Sequence, residues 1–355
     1  MKFDPSSFPA AAKATGFQSD NLEKVLRLRE LLTEFQKHSF LVGRLVLKGG
    51  TALNLFYLGL TRLSVDIDLN YIAHLEREAM LAERSEIVKA VEQVSAGLGY
   101  KVQNGTDDHA LREWHLGYVN HAGAQNRIQV EINFLMRACA LPPRVLAAVP
   151  AIGSPPCEFL VLAAEEVFGG KIKAMIDRRH PRDLYDLFRF AKSALPHDAE
   201  ILRKLAVLFC STMDRDFRTY TVERISAVDE KELGRLLYPL LKADDRPKPA
   251  EMLAATRPLL EGVLDHTREE AYLVAIASGK YQPQLLFPKH PEIVERIRLH
   301  PALLWKAQNV AEYLAQSRKP SWRSRSERLK STSVPTPLAD TRSLIRMPFL
   351  AKPCA

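Results

Sequence analysis

Apolar residues recur at two different periods along the chain, and the change of period sorts it into elements. Leu22, Val25, Leu26, Leu28 and Leu32 stand at near-helical spacing, which predicts a helix over residues 21–40. A short apolar run at 44–48 reads as a strand that ends at Gly49-Gly50, and residues 51–58 then turn helical. Residues 63–72 and 126–134 alternate apolar with polar positions, the period-two signature of half-buried strands. Between them lie a charged amphipathic helix at 75–98 and a strand at 112–119. A last short strand at 158–162 precedes helices at 163–178 and 181–192. Beyond His197 only helical periodicity remains, at 200–210, 230–241, 250–277 and 291–316, with turns rich in Pro and Asp and no internal repeat. The pattern predicts an α+β protein: a mixed domain over 1–195, an all-helical domain over 196–317, and a tail over 318–355.

Composition adds exclusions. With 355 residues, 46% hydrophobic and 26% charged, the chain has enough apolar material for an ordinary globular core. No stretch approaches the roughly 18 apolar residues that a membrane-spanning helix needs, so no membrane partner is expected. The N-terminus lacks the apolar core of a secretory signal and carries Asp4 among its prolines. Cys139, Cys157, Cys210 and Cys354 are scattered with no C-x-x-C pair, which argues against a disulfide framework or a structural zinc site. A reducing, cytoplasmic location is the expectation. The net charge of +8 is concentrated in residues 318–355, where nine Lys and Arg face only Glu327 and Asp340. That Ser-, Pro- and Arg-rich tail reads as disordered, either a solubilising extension or an arm for nucleic acid phosphates.

The chemistry begins at Leu63-Ser-Val-Asp-Ile-Asp-Leu-Asn-Tyr71. On a strand, Ser64, Asp66, Asp68 and Asn70 share one face, with the Cα atoms of successive members roughly 6–7 Å apart. Two such carboxylates repel unless a proton or cation intervenes. Their oxygens can converge on Mg2+ ions about 3.5–4 Å apart, as in two-metal phosphoryl-transfer sites; alternatively they form a solvated polar face. Upstream, Lys48-Gly-Gly-Thr-Ala-Leu-Asn54 passes from strand to helix. Gly49 and Gly50 would let a ligand approach the backbone, the helix start would favour phosphate, and Thr51 offers a hydroxyl donor or a helix cap. The alternative is a tight turn with nothing bound, and no P-loop motif is present.

Three further positions join this set. Glu131 faces away from the apolar side of its strand, together with Gln129 and Asn133. It completes an acidic cluster if its strand neighbours the Asp66–Asp68 strand, and is otherwise a solvated residue. Val167, Lys171 and Met175 are spaced four apart, placing Lys171 in an apolar helical stripe, either snorkelling or reaching a cleft. Gly169-Gly170 in the same helix costs roughly 1 kcal/mol per glycine, which close approach of a backbone or ligand would offset. Asp183, one turn into a helix that starts at Pro181, points inward beside Arg178, Arg179 and Arg182. It either forms a structural ion pair or orients Lys171 or an incoming hydroxyl.

The ordered set KGGTALNL, RLSVDIDLNY, VEINF, GGKIKAM and RRHPRDLYDL resembles the nucleotidyl transferase AbiEii/AbiGii toxin family of type IV abortive-infection toxin–antitoxin systems. That family is a branch of the DNA polymerase β-like nucleotidyltransferases, and the resemblance spans residues 44–190. It implies a nucleotidyltransferase-type mixed sheet flanked by helices. It also implies Mg2+-dependent transfer of NMP from an NTP to an acceptor hydroxyl, with release of pyrophosphate. Gly50-Thr51 matches the family's G-[ST] turn, Asp66 and Asp68 its metal pair, Lys171 its nucleotide-contacting lysine and Asp183 the aspartate of its R-D-x-x-D helix. Glu131 stands where related enzymes keep a third acid. Related toxins act on tRNA acceptor ends, so the resemblance points to tRNA, with Arg178, Arg179 and Arg182 as its contact, and to a cognate antitoxin encoded nearby. Two other readings share part of the pattern: a metal-dependent glycosyltransferase, which also uses D-x-D but needs no Gly-Gly-Thr turn, and a nucleotide-binding interaction protein without turnover.

Overall fold

Residues 7–150, 155–225 and 230–317 are described by the computed structural model; the tail beyond 317 lies outside the described residues. Seven strands, β1 (Leu45–Lys48), β2 (Asp66–Tyr71), β3 (Lys101–Asp107), β4 (Leu111–Val119), β5 (Gln125–Asn133), β6 (Arg144–Ala147) and β7 (Glu158–Val161), form one sheet in the order β3-β4-β5-β2-β1-β7-β6. The sheet is mixed: β2 runs parallel to β5 and β1 parallel to β7, while the other pairs are antiparallel. The alternating segments became its centre. Ile67, Leu69, Trp114, Leu116, Ile128, Val130 and Ile132 are all fully buried, whereas Asp66, Asp68, His115, Gln129 and Glu131 stay partly exposed. Strands β3 and β6 carry no such alternation, because they are edge strands with mostly exposed side chains.

Helices α1 (Ser7–Thr15), α2 (Ser19–Lys37), α3 (Gly49–Ala52) and α4 (Arg77–Gly97) come from the first hundred residues. α4 covers the apolar sheet face, where Glu92 accepts from the Trp114 indole N–H and from Arg112. α3 passes directly into a π-helical turn, Leu53–Tyr57, so the segment expected to be regular helix is wider than an α-helix. α5 (Ala164–Arg178) and α6 (Pro181–Ala191) follow the last strand. They are joined by a tight turn in which Arg179 adopts a left-handed φ of 54°.

Beyond residue 195 the described chain is helical: α7 (Ala199–Cys210), α8 (Val222–Ile225), α9 (Glu230–Leu236), α10 (Pro249–Leu264), α11 (Glu270–Ala277), α12 (Pro283–Leu286), α13 (Pro291–Ile297) and α14 (Pro301–Ser317). Three helices expected to be continuous are each broken, the first at Leu237, between α9 and a 3-10 turn at Tyr238–Leu240. Asp265 accepts from Thr267 and Arg268, closing a local turn that ends α10. Pro301 disfavours helical backbone at His300 and starts a fresh helix. α7 packs on α5 and α10 on α6, so one hydrophobic core runs from the sheet into the helical half.

Candidate active site

The site is assembled on the sheet face opposite α4. Register places Asp68 between Lys48 of β1 and Glu131 of β5, and Asp66 beside Gln129. Both aspartates therefore project from the same side of β2, with Glu131 next to them and Glu113 of β4 opposite Glu131. Lys48 Nζ lies 3.7 Å from Glu131 Oε1. Lost hydration, and then the neighbouring Asp68 charge, raise the Asp66 pKa, although Arg182, Lys24 and Arg62 pull the other way. Burial raises Glu131 as well, with Asp68 and Glu113 adding to it and Lys48 opposing. Among the described residues no group of three or more His, Cys, Asp or Glu is placed to hold a metal ion; what the strand offers is the pair.

The glycine turn lies against this pair. Gly49 has φ of +71°, and a Cβ there would fall 2.2 Å from Asp68 Oδ2. At Gly50 a Cβ would fall 2.6 Å from Arg62 Nη2 and 2.9 Å from Ser64 Oγ. The missing side chains thus make room for the protein's own Asp68 and Arg62, a tighter reason for glycine than the access for a ligand that the motif suggests. Thr51 is fully buried, and its hydroxyl donates 2.5 Å to the Asp66 carbonyl, tying the turn to the acidic strand rather than capping α3.

Lys171 and Asp183 are brought together behind the turn. Lys171 Nζ donates 2.7 Å to Asp183 Oδ1 and sits 3.1 Å from Asp186 Oδ2. Val167, Lys171 and Met175 are all buried, as the stripe predicts, and the ammonium is spent on these two carboxylates rather than snorkelling to water. Asp183 also accepts from Arg178 Nε at 2.7 Å, while Asp186 takes both Arg62 Nε and Nη2 at 2.7 Å. Burial opposes ionisation of Asp183, yet Lys171 and Arg178 hold its carboxyl well below the usual carboxylate range. Asp186 is lowered in the same way by Arg62 and Lys171. Arg182 leans from α6 towards the acid pair, with Nη1 3.5 Å from Asp66 Oδ2. Arg178 keeps 57% of its side chain exposed, and Arg179 caps α5 with its N–H on the Met175 carbonyl.

Sequence reasoning passed over Arg62, Asp186, Lys48 and Lys24. Asp186 was visible as the second acid of the R-D-x-x-D helix. Arg62 has no local signal, since its partner lies 124 positions away.

A mixed sheet presenting an acid pair against a glycine turn, braced by a buried lysine, defines the chain as a nucleotidyltransferase fold. Residues 30–272 match the nucleotidyl transferase AbiEii toxin family of type IV toxin–antitoxin systems, and the chain belongs to that family. It is therefore a nucleotidyltransferase toxin, for which a nucleotide substrate and a cognate antitoxin follow. The solved structure of MenT4, a nucleotidyltransferase toxin from Mycobacterium tuberculosis H37Rv, shares the fold: TM-score 0.57 and 20% identity over 86% of this chain and 99% of that one. A protein from H. pylori described as a candidate nucleotidyltransferase is more distant, with TM-score 0.43 and 17% identity over 68% of this chain and 95% of its own. No curated protein matches the chain. Among the described residues no helix is long and apolar enough to cross a membrane.

Proposed function

We propose that the chain transfers an NMP group from an NTP to a hydroxyl of tRNA, using Mg2+ held by Asp66 and Asp68. The observation that carries this reading is the placement of both aspartates on one face of β2, with Gly49 against Asp68. The donor set suits the ion, because carboxylate oxygens are hard ligands, and burial and then the Asp68 charge, which raise Asp66, leave its anionic form in want of a cation. When bound, Mg2+ would supply charge neutralisation on the triphosphate and acidify the attacking hydroxyl, one ion or two. The Lys171 side chain has three N–H donors; two serve Asp183 and Asp186, and we assign the third to a phosphate oxygen. Gly50 and Thr51 hold the turn that borders the same phosphates. The acceptor oxygen forms a bond to the α-phosphorus, the α–β bridging P–O bond breaks, and pyrophosphate leaves. Of the two remaining acids, Glu131 suits the released proton: its pKa is raised, whereas Asp183 is held ionised by Lys171 and Arg178 and serves to position the lysine.

The test uses the full chain with Mg2+, each α-labelled NTP and total tRNA, beside Asp66→Ala and Asp68→Ala. Either substitution should abolish labelling while leaving the thermal melt nearly unchanged, since each removes one of two repelling charges. Labelling by both variants at the parent rate would end the assignment. We assign the tRNA contact to the cluster of Arg178, Arg179 and Arg182. Arg179→Gly probes it, because glycine accepts the left-handed backbone at no cost. We expect tRNA binding weakened several-fold, with a thermal melt to show that the variant folds; unchanged tRNA affinity would remove Arg179 from the contact.

A further inference from the structure

Three arginines surround the site, and they are not held alike. Arg62 is 2% exposed and fixed by two 2.7 Å bonds to Asp186. Arg178 makes contacts of 2.7 and 3.1 Å to the two oxygens of Asp183. Arg182, with 23% of its side chain exposed, reaches Asp66, 37% exposed, only at 3.5 Å. Its backbone is nonetheless pinned, since the Arg182 N–H donates 3.1 Å to His180 Nδ1 at the start of α6. A guanidinium loosely held on a fixed stem is free to change partner.

The partner it holds is the carboxylate assigned above to Mg2+. A magnesium ion on the Asp66 oxygen that faces Arg182 would stand within roughly 6 Å of that guanidinium, and two cations at that range repel. Each therefore weakens the hold of the other on Asp66. A triphosphate arriving with the metal brings the anionic oxygens that a displaced arginine grips best. We propose that Arg182 stands in for the divalent cation at Asp66 while the site holds no nucleotide, and passes to a phosphate oxygen when metal and nucleotide arrive together. Metal alone therefore binds weakly, nucleotide promotes its entry, and Arg182 enforces the coupling. This inference rests on the reading of Asp66 and Asp68 as metal ligands.

The experiment is calorimetric titration of the full chain with Mn2+, alone and in the presence of a non-hydrolysable α,β-methylene NTP, with a thermal melt of each variant. Arg182→Gln should bind Mn2+ alone at least five-fold more tightly than the parent, yet bind the Mn2+-loaded nucleotide at least five-fold more weakly. Arg182→Lys, which keeps the charge but not the fork, should restore most of the weak metal-alone binding. Asp66→Asn should lose the Mn2+ site in either background. Equal Mn2+ affinity in Arg182→Gln and the parent, with Asp66→Asn still abolishing it, would overturn the role of Arg182 and leave the metal pair intact. Unchanged Mn2+ binding in Asp66→Asn would overturn the metal pair itself, and the inference with it.

Discussion

Lys171 touches two carboxylates, and each of those carboxylates has an arginine of its own. Asp183 and Asp186 are fully buried, so the network exists only while every charge keeps a partner. Removing the shared cation leaves two Arg–Asp pairs, each short of one donor. Lys171→Met should lower stability by about 1–3 kcal/mol, since each carboxylate keeps its arginine but loses a charge-assisted hydrogen bond. Denaturant unfolding measures it, and a loss under about 1 kcal/mol would mean the two arginines suffice. The contrast with Asp66→Ala is one of stability, since the first should lose stability together with its phosphate contact and the second only its chemistry. Sequence spacing put Lys171 on a buried stripe and Asp183 inward, and both positions hold. It left the choice between ion pair and orienting acid open, because Arg178, Arg179 and Arg182 are all adjacent in sequence. Asp183 turns out to serve both purposes, with Arg178 on one side and Lys171 on the other. The Gly49-Gly50 turn was legible as a site marker, though its cause, the contact of Asp68 and Arg62 with backbone, needs three dimensions to see.

At the scale of elements, legibility followed amphipathic contrast. β2, β4, β5 and α4–α6 were all readable, since apolar and polar positions recur in each at strand or helix spacing. Edge strands β3 and β6 lack that contrast, and α13 and α14 merged into one stripe although Pro301 divides them. The divide carries a consequence. His300, at the junction, is 1% exposed, and among the described residues neither ring nitrogen has a hydrogen-bond partner. Burial, with Arg137 adding to it, lowers its pKa from 6.5 to about 4. Between those values the unfolded chain takes up a proton that the folded chain refuses, so stability is complete above pH 6.5 and falls as the pH drops towards 4. From pH 7 to pH 5 this group removes about 2 kcal/mol. His300→Leu should abolish that part of the acid sensitivity, read as a shallower decline of the melting temperature over the same range. A slope identical to the parent would show that His300 is not the responsible group.

Across the whole molecule, the change from mixed to helical elements near residue 195 does not coincide with a change of core. α5 carries Lys171 on one side and meets α7 on the other. Gly169 makes that meeting close: a Cβ there would stand 3.2 Å from the Ala206 nitrogen and 3.4 Å from the Leu205 carbonyl carbon. This backbone approach explains a glycine inside α5, which the sequence flagged but left divided between a neighbour and a ligand. Leu202, Leu205, Ala206 and Phe209 of α7 are all buried in the contact region. Uncovering side chains of that size costs about 1.5–3 kcal/mol each, so losing α7 removes a sum comparable with the 5–15 kcal/mol that holds a typical domain folded. A fragment ending at residue 195 should therefore lose its near-UV circular dichroism, bind a hydrophobic dye and bind no nucleotide. In the full chain, Gly169→Leu should push α5 from α7, lowering stability by about 1–3 kcal/mol through overpacking and weakening nucleotide binding in step, because the displaced helix is the one that carries Lys171. A fragment that unfolds cooperatively and binds nucleotide like the parent would establish instead that the catalytic sheet is self-sufficient and that the helical half is an addition to it.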